Sequence, residues 1–465
     1  MPEEHTPDRE SGAPTAPGSP ATELDERSGG ERPPGSFPVV GIGCSAGGLE
    51  PLTTFLAELP AGIGAAVVVI QHLHPTDNLL VPILQKHCAL PVVTIQDGMP
   101  IEPGRVHVTP PGSRVALERG SFHLIPFRGA KEDRLSIDFF LRSLADDRGD
   151  LAVCVVLSGA GSDGCLGVRA VRGAGGVTMA QDPVTAKFDS MPRSAIETAC
   201  VDVIAPPEGL ASELLSYLSR WPKHRRADPE LAETTLSRRW TREILALLHA
   251  RTGHDFALYK ANTVIRRIQR RMDLQRIEDP AEYLRYLGAE GTEAERLFQD
   301  LLIGVTSFFR DADAYDALKA TLVAEVLAKR SGAGDPVRVW VPACSTGEEA
   351  YSLAMLLEEG MADLGRRISA QVFATDLDPA AIARARLGLY PESISADVPE
   401  ARLARFFRLE ESGAYRVTKE IREVVIFATQ DVLQDPPPRK SSSRSTRSSR
   451  RSTPSSGASS TSSPT

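Results

Sequence analysis

A serine on a glycine-rich turn, a histidine at one strand end and an aspartate at another are the residue types from which a hydrolase builds an acylating nucleophile. Ser45 lies in Gly41-Ile42-Gly43-Cys44-Ser45-Ala46-Gly47-Gly48, between an extended run over residues 37–40 and an amphipathic stretch. Open α/β sheets place their chemistry at the carboxyl ends of strands. Glycines around the serine permit a sharp turn, and the start of the next helix offers free N–H groups and a positive dipole end to an anion. The same letters, Gly41-x-Gly43-x-x-Ala46, also match a dinucleotide-binding fingerprint, and a plain structural turn is a third reading. The dinucleotide reading asks for an acid at the end of the next strand. Residues 65–70 end instead in Gln71-His72, and a histidine there is the general base that a serine nucleophile requires. His74, two residues beyond His72, is a weaker candidate for that role.

A third apolar run, 151–157, is typical of a strand buried on both faces, and it opens into Ser158-Gly159-Ala160-Gly161-Ser162-Asp163-Gly164. Asp163 then shares a sheet edge with Ser45 and His72, where it would fix the tautomer of the histidine. Asp163-Gly164 is equally an ordinary tight turn. His87, His107 and His123 stand outside any motif and are expected to be surface or core polar residues.

The strings VVGIGCSAGGLEPL, VVVIQHLHP, VLSGAGSDGCLGVRA and AQDPVTAKFDSMPRSAI, in this order, resemble the catalytic domain of the chemotaxis protein-glutamate methylesterases over residues 37–221. The resemblance implies a doubly wound, mostly parallel α/β sheet acting on the methyl esters of receptor glutamates. It implies Ser45 as nucleophile, His72 as base, Asp163 as its orienting partner and a backbone N–H near Ala160 as oxyanion donor. Deamidation of receptor glutamines is a further activity of that family. Met191 would line the substrate entrance by the same analogy, although packing explains an apolar residue beside Pro192 equally well.

At 465 residues the chain exceeds the size at which one core keeps growing, so more than one folded domain is expected. The net charge of −8 argues against a general nucleic-acid binder. Six scattered cysteines, with no pair at zinc spacing, fit reduced thiols of a cytoplasmic protein. No signal peptide and no apolar run of bilayer length are present, so no membrane insertion is expected. Residues 1–36, rich in Pro, Gly and acids, are expected to be disordered, the first domain to cover 37–222 and a linker 223–229. No phosphorylatable receiver domain is recognisable ahead of the first domain.

Beyond that linker, residues 240–250, 263–274, 280–287 and 293–302 have helical spacing. Arg266, Arg267, Arg270 and Arg271 stack along one sector of the second of these helices, either as a solvated face or as a surface for an acidic partner. After a linking helix over 313–329, strands return at 337–341 and 371–375. Between them Ser345-Thr346-Gly347-Glu348-Glu349 opens a helix, and Asp376 closes the second strand as a ribose-binding acid would. A capping box is the alternative for the serine, threonine and glutamates.

The strings LLIGVTSFFRDADAYDAL, RVWVPACSTGEEAYSLAMLL, FATDLDPAAIARARLGLY and IFATQDVLQDPP resemble the chemotaxis receptor methyltransferases over residues 230–437. The resemblance implies a small all-helical receptor-docking subdomain over 230–302 and a Rossmann-like S-adenosylmethionine-binding domain over 303–438. It places Thr306 and Arg310 at the methionine end of the cofactor, Glu348 and Asp376 at the sulfonium region and ribose, and Asp431 and Val432 beside the adenine. Gly304 stands where the family carries asparagine, and Ala343 replaces a common glycine. The partner implied for both halves is a methyl-accepting chemoreceptor or related sensory protein with acidic helices.

After Pro438 the composition changes to a tail over 439–465 with 13 serines, six basic residues and no acid. So abrupt a change is what a reading-frame shift in a GC-rich gene leaves, and the transferase sheet is expected to lack its last strands and to expose apolar edges. The expected function is thus an intact esterase joined to an impaired transferase, and the alternative is a non-catalytic scaffold remnant of a larger sensory protein.

Overall fold

The structure, a computed structural model, describes residues 37–72, 79–127, 135–225, 238–302, 304, 306–329, 336–366 and 368–436. His74, the expected disordered segment 1–36 and the expected tail 439–465 lie outside the described residues.

The first half is built on strand β1 (Val39–Cys44), buried at all six positions. It pairs in parallel with β2 (Ala66–Gln71) on one side and β7 (Ala152–Val156) on the other. With β3 (Val92–Thr94), β4 (Val106–Val108), β8 (Val177–Gln181) and β9 (Val203–Ala205) it forms a seven-stranded sheet ordered β3-β4-β2-β1-β7-β8-β9. Every pairing is parallel, and the continuous Val/Ile/Ala runs satisfy a sheet covered on both faces. Strands β5 (Ser113–Glu118) and β6 (Ser121–Pro126) form a separate antiparallel hairpin.

Apolar residues of α1 (Leu49–Ala57), α2 (Leu80–His87) and α6 (Pro207–Arg225) fill the core on one face. The opposite face is covered by α3 (Ser136–Arg148) and α4 (Cys165–Ala174), and α5 (Ser190–Glu197) follows β8. Gly41 and Gly43 belong to β1 itself and not to the turn. A Cβ on Gly43 would stand 2.4 Å from Ile137 Cγ2, and one on Gly41 2.8 Å from Leu141 Cδ2, so these glycines let α3 approach the sheet. The turn proper rests on Gly47, at φ +69. Helix α6 runs to Arg225, so the linker expected at 223–229 begins inside a helix.

In the second half, α7 (Arg238–Thr252), α8 (Ala261–Gln275), α9 (Pro280–Ala289) and α10 (Gly291–Leu302) enclose a core that includes Phe256, Ile268, Tyr283 and Leu297. Helix α11 (Ala312–Thr321) continues into a π-helical stretch, Leu322–Leu327. Strands β10 (Val337–Pro342), β11 (Ala370–Asp376) and β15 (Val425–Thr429) form a parallel sheet of three strands among the described residues. One face packs on α12 (Glu348–Asp363), α13 (Pro379–Leu387) and α15 (Lys419–Val424). On the other, Trp340, Phe373 and Ile426 stand in register across the strands, with Trp340 40% and Ile426 41% exposed. Strands β12 (Leu389–Tyr390), β13 (Phe407–Leu409) and β14 (Tyr415–Val417) form a small antiparallel sheet, with helix α14 (Glu400–Phe406) between β12 and β13 in the chain.

Of the four arginines in the stripe of α8, Arg266 is exposed, and the other three are neither solvated nor free for an acidic partner. Arg267, Arg270 and Arg271 are only 8%, 3% and 4% exposed. Arg267 and Arg270 dock on the carboxyl-terminal end of α4. Arg267 Nη1 donates to the carbonyl of Arg172 at 2.7 Å and its Nη2 to that of Gly173, while Arg270 Nε donates to the carbonyl of Gly176 at 3.0 Å. Guanidinium groups on the last carbonyls of a helix meet its negative dipole end. Arg271 forms a two-pronged pair with Glu293. Those carbonyls lie nearly a hundred residues away in the chain, beyond the reach of any local charge pattern.

Candidate functional site

The order of the first sheet reverses at β1: the chain proceeds outward through β2 and β4, then returns to β7 on the other side. Such a switch point opens a crevice at the carboxyl ends of the strands. Ser45 follows β1, His72 follows β2 and Asp163 lies in the loop after β7, so three adjacent strands deliver the three side chains.

Ser45 Oγ lies 3.0 Å from His72 Nδ1, and His72 Nε2 lies 2.9 Å from Asp163 Oδ2. An ionised carboxylate only accepts, so Nε2 carries the ring proton and Nδ1 is left to accept from the serine hydroxyl. Asp163 is buried, and its oxygens also accept from the N–H groups of Ile137 and Asp138, both at 2.8 Å, and of Gly164 at 3.0 Å. Two of those donors are orphan N–H groups of the first turn of α3, which has no side-chain cap of its own. One carboxylate therefore orients the imidazole and completes a helix end.

Three neighbours of the triad geometry were not legible in the sequence. Ser158 is buried and ties the loops together: its carbonyl accepts from Ser45 N at 3.0 Å, its N–H donates to Gln181 Oε1 at 2.9 Å, and its Oγ accepts from Phe188 N at 3.0 Å. Gly159 passes so close that a Cβ there would stand 2.9 Å from Ser45 Cβ and 2.1 Å from Met191 Sδ. Met191 is buried beneath it, so of its two readings packing holds. Asp138 is also buried, and burial, reinforced by the charge of Asp163, holds its carboxyl well above the usual range. The SGAG string was the one available signal for Ser158; nothing local marked Asp138.

A cleft of about 550 Å³ opens over Ser45 and His72, walled among others by Glu50, Gln71, His87 and Lys187. His87 is thus a wall residue of the cleft, whereas His107 is a core residue bonded to the carbonyl of Val67 at 3.2 Å. Burial pushes the neighbouring Cys44 thiol up to about 12, so it stays protonated at neutral pH and does not rival Ser45 as nucleophile.

A second polar constellation lies at the carboxyl ends of β10 and β11. The intervening loop bends through Ala343 at φ 55, Ser345 at φ 48 and Gly347 at φ 94. With Phe309 and Asp311, at φ 49 and 62, this concentrates left-handed non-glycine residues around one spot, a strain that clusters at ligand sites. The N-cap of α12 is Gly347, without a side-chain cap, so the capping-box alternative does not hold. Asp376 accepts from the N–H groups of Ser345 at 2.7 Å and Asp378 at 2.9 Å, and burial raises its carboxyl against these bonds. Glu348 is 2% exposed; it accepts from Thr346 Oγ1 at 2.6 Å and from Arg169 Nη1, on α4 of the first half, at 3.0 Å.

The segment before α11 covers this loop. A Cβ on Gly304 would stand 3.5 Å from Ser345 Oγ, and Phe309 N donates to Ser352 Oγ at 3.1 Å in the first turns of α12. Thr306 is half-buried there and Arg310 exposed. Asp431, just after β15, accepts from His254 Nδ1 at 2.8 Å; desolvation raises its carboxyl, but that bond together with the N–H groups of Leu433 and Gln434 and the charge of His254 holds the group below the usual range. Val432 beside it is half exposed. Strand-end acids around a strained glycine-containing turn fit the hydroxyls and positive charge of a nucleoside sulfonium cofactor. Glu348 alone departs from that fit, because its charge is already matched by Arg169.

Among the described residues no helix is long and apolar enough to cross a membrane, and no cluster of side chains suits a metal ion. Residues 40–214 match the family model of the CheB methylesterases. Residues 241–302 match the all-alpha domain of the CheR methyltransferases and 304–442 their SAM-binding domain. The chain is 38% identical over 374 residues to an uncharacterized 104.1 kDa protein of the hypE 3′ region of Rhodobacter capsulatus, covering 76% of this chain but 39% of that one. It is 33% identical over 178 residues to a candidate protein-glutamate methylesterase/protein-glutamine glutaminase of Leptospira interrogans, covering 38% of this chain and 92% of the relative. Its likeness to the chemotaxis protein methyltransferase of Listeria monocytogenes is 32% over 183 residues, covering 39% of this chain and 67% of the relative. With a seven-stranded parallel sheet in one half and a helical cluster leading into a second parallel sheet in the other, the chain belongs to the CheB methylesterases through its first half and to the CheR methyltransferases through its second.

Proposed function

We propose that the chain hydrolyses and forms methyl esters on glutamates of a chemoreceptor or related sensory protein with acidic helices. The observation that carries the first activity is the hydrogen-bonded series Ser45 Oγ, His72, Asp163 at the switch point of the sheet. Ser45 Oγ attacks the ester carbonyl carbon while its proton passes to His72 Nδ1, and the carbonyl oxygen takes the electron pair. A backbone N–H of the loop after Ser158, that of Ala160 by family likeness, faces the resulting oxyanion. Collapse breaks the bond to the methoxy oxygen, which takes the proton back from His72 and leaves as methanol. Water then attacks the acyl-serine, gives one proton to His72, and frees both Ser45 and the glutamate carboxylate. Asp163 remains ionised throughout and keeps Nε2–H turned away from the serine. Deamidation of glutamine follows the same course with ammonia as leaving group.

For the second activity, S-adenosylmethionine, when bound, supplies an activated methyl group to a glutamate carboxylate. The chain's own residues align and desolvate the partners. Thr306 and Arg310 serve the methionine end, Glu348 and Asp376 the positive sulfur and the ribose, and Asp431 with Val432 the adenine.

The test is release of labelled methanol from a methylated receptor. Ser45→Ala is expected to lower the rate by roughly 10³-fold or more, and Asp163→Asn by about 10⁴-fold through loss of the working tautomer. Equal rates for the chain and its Ser45→Ala variant would sink the enzymatic reading of the first half.

A further inference from the structure

Helix α4 serves both candidate sites. Its N-cap, Gly164, directly follows Asp163, and its first turn holds Cys165, whose Sγ lies 3.3 Å from Ser393 Oγ in the second half. One turn later Arg169 crosses the same boundary: Nη1 donates to Glu348 Oε1 at 3.0 Å and Nη2 to Thr346 Oγ1 at 2.9 Å. Flanking bonds fix the contact, with Arg142 Nη1 donating to Asp397 at 2.7 Å and Arg384 Nη1 to the carbonyl of Thr198 at 2.8 Å. A guanidinium from the methylesterase half thus neutralises a buried carboxylate of the methyltransferase half.

We propose that Arg169 is a specificity-determining residue of the methyltransferase site, contributed by the methylesterase half, and that it competes with the positive charge of the methyl donor for Glu348. The inference rests on the assignment of Glu348 to S-adenosylmethionine made above. A sulfonium has no hydrogen to donate and meets a carboxylate through charge alone, whereas the guanidinium adds directed hydrogen bonds. Two cations facing one buried carboxylate repel each other. S-adenosylhomocysteine, a neutral thioether at the same position, escapes that repulsion, so Arg169 weakens the donor relative to its spent form. Because α4 begins at the aspartate that orients His72, release of Arg169 acts on the helix that supports the esterase triad, and linkage makes the coupling reciprocal.

The experiment is calorimetric titration of the full chain, and of its Arg169→Gln and Arg169→Lys variants, with S-adenosylmethionine and S-adenosylhomocysteine. Arg169→Gln is expected to bind the donor about tenfold more tightly with the thioether little changed, and Arg169→Lys to stay near the parent. In the parent chain, saturation with the donor is expected to speed amide exchange over Cys165–Ala174. No gain in Arg169→Gln, or an equal gain for both ligands, overturns the proposal while leaving the cofactor assignment intact. If neither folded protein binds either ligand, the assignment falls and the proposal with it. Should Arg169→Gln fail to fold, unchanged exchange over α4 in the donor-saturated parent overturns the proposal by itself.

Discussion

Two carboxyl groups meet at the amino-terminal end of α3, and only one of them has both oxygens filled. Asp163 accepts from four N–H groups, whereas Asp138 accepts from Gly167 N at 2.6 Å through Oδ1 and leaves Oδ2 buried without a partner among the described residues. Burial first, and then the charge of Asp163, raises the Asp138 carboxyl above the value of about 3.9 that an unfolded chain shows. The folded chain therefore binds a proton that the unfolded chain has released. Stability from this group is full below about pH 3.9 and declines as pH rises through the window up to the raised value. Asp138→Asn is expected to remove the decline, which amounts to about 1.4 kcal/mol for each unit of the window, and to leave the protein at least as stable at pH 7. Urea midpoints measured from pH 4 to 8 check this; a variant that keeps the parent's slope would refute it. Ser45, His72 and Asp163 were legible because reactive types recurred at strand ends. Asp138 was not, since only its burial beside Asp163 gives it a role.

At the scale of elements, the open face of the second sheet is the weak point. Parallel strands normally have both faces covered, yet Trp340, Phe373 and Ile426 form a row left partly exposed among the described residues. Trp340→Lys is expected to raise the temperature at which light scattering begins on heating. The cost in stability is about 1 kcal/mol, from the lost bond of Trp340 Nε1 to Thr375 Oγ1 at 3.1 Å. An unchanged scattering onset would mean that this face does not drive association. The strand character of β10 and β11 was legible, and so was the acid at the end of β11. Which face stayed bare was not, because that depends on where α12, α13 and α15 pack.

Across the whole molecule, four buried charges join the halves. Arg172 and Asp202 come from the first half, Arg270 and Asp300 from the second, and each guanidinium pairs with both carboxylates. Burial alone would raise the Asp202 carboxyl, but Arg270 and Arg172 hold it below the usual range. The described residues from Pro38 onward accordingly form one compact unit. Heating is expected to melt both halves in a single calorimetric transition. Arg270→Ala leaves two buried carboxylates facing the single guanidinium of Arg172, is expected to cost about 3–5 kcal/mol and to split the melt into two transitions. Two separate transitions in the unsubstituted chain would show that the quartet does not couple the halves.

By itself the sequence determined the class of each half, the strand ends on which Ser45, His72, Asp163, Glu348 and Asp376 stand, and the helical cluster between. Those follow from periodicity and turn chemistry, which act over a few residues. Only the tertiary structure decided that Arg267, Arg270 and Arg271 of α8 face inward and that Arg169 reaches Glu348. Contacts between residues 94 to 179 positions apart are set by how helices close on one another, and the charge of a side chain does not say which partner desolvates it.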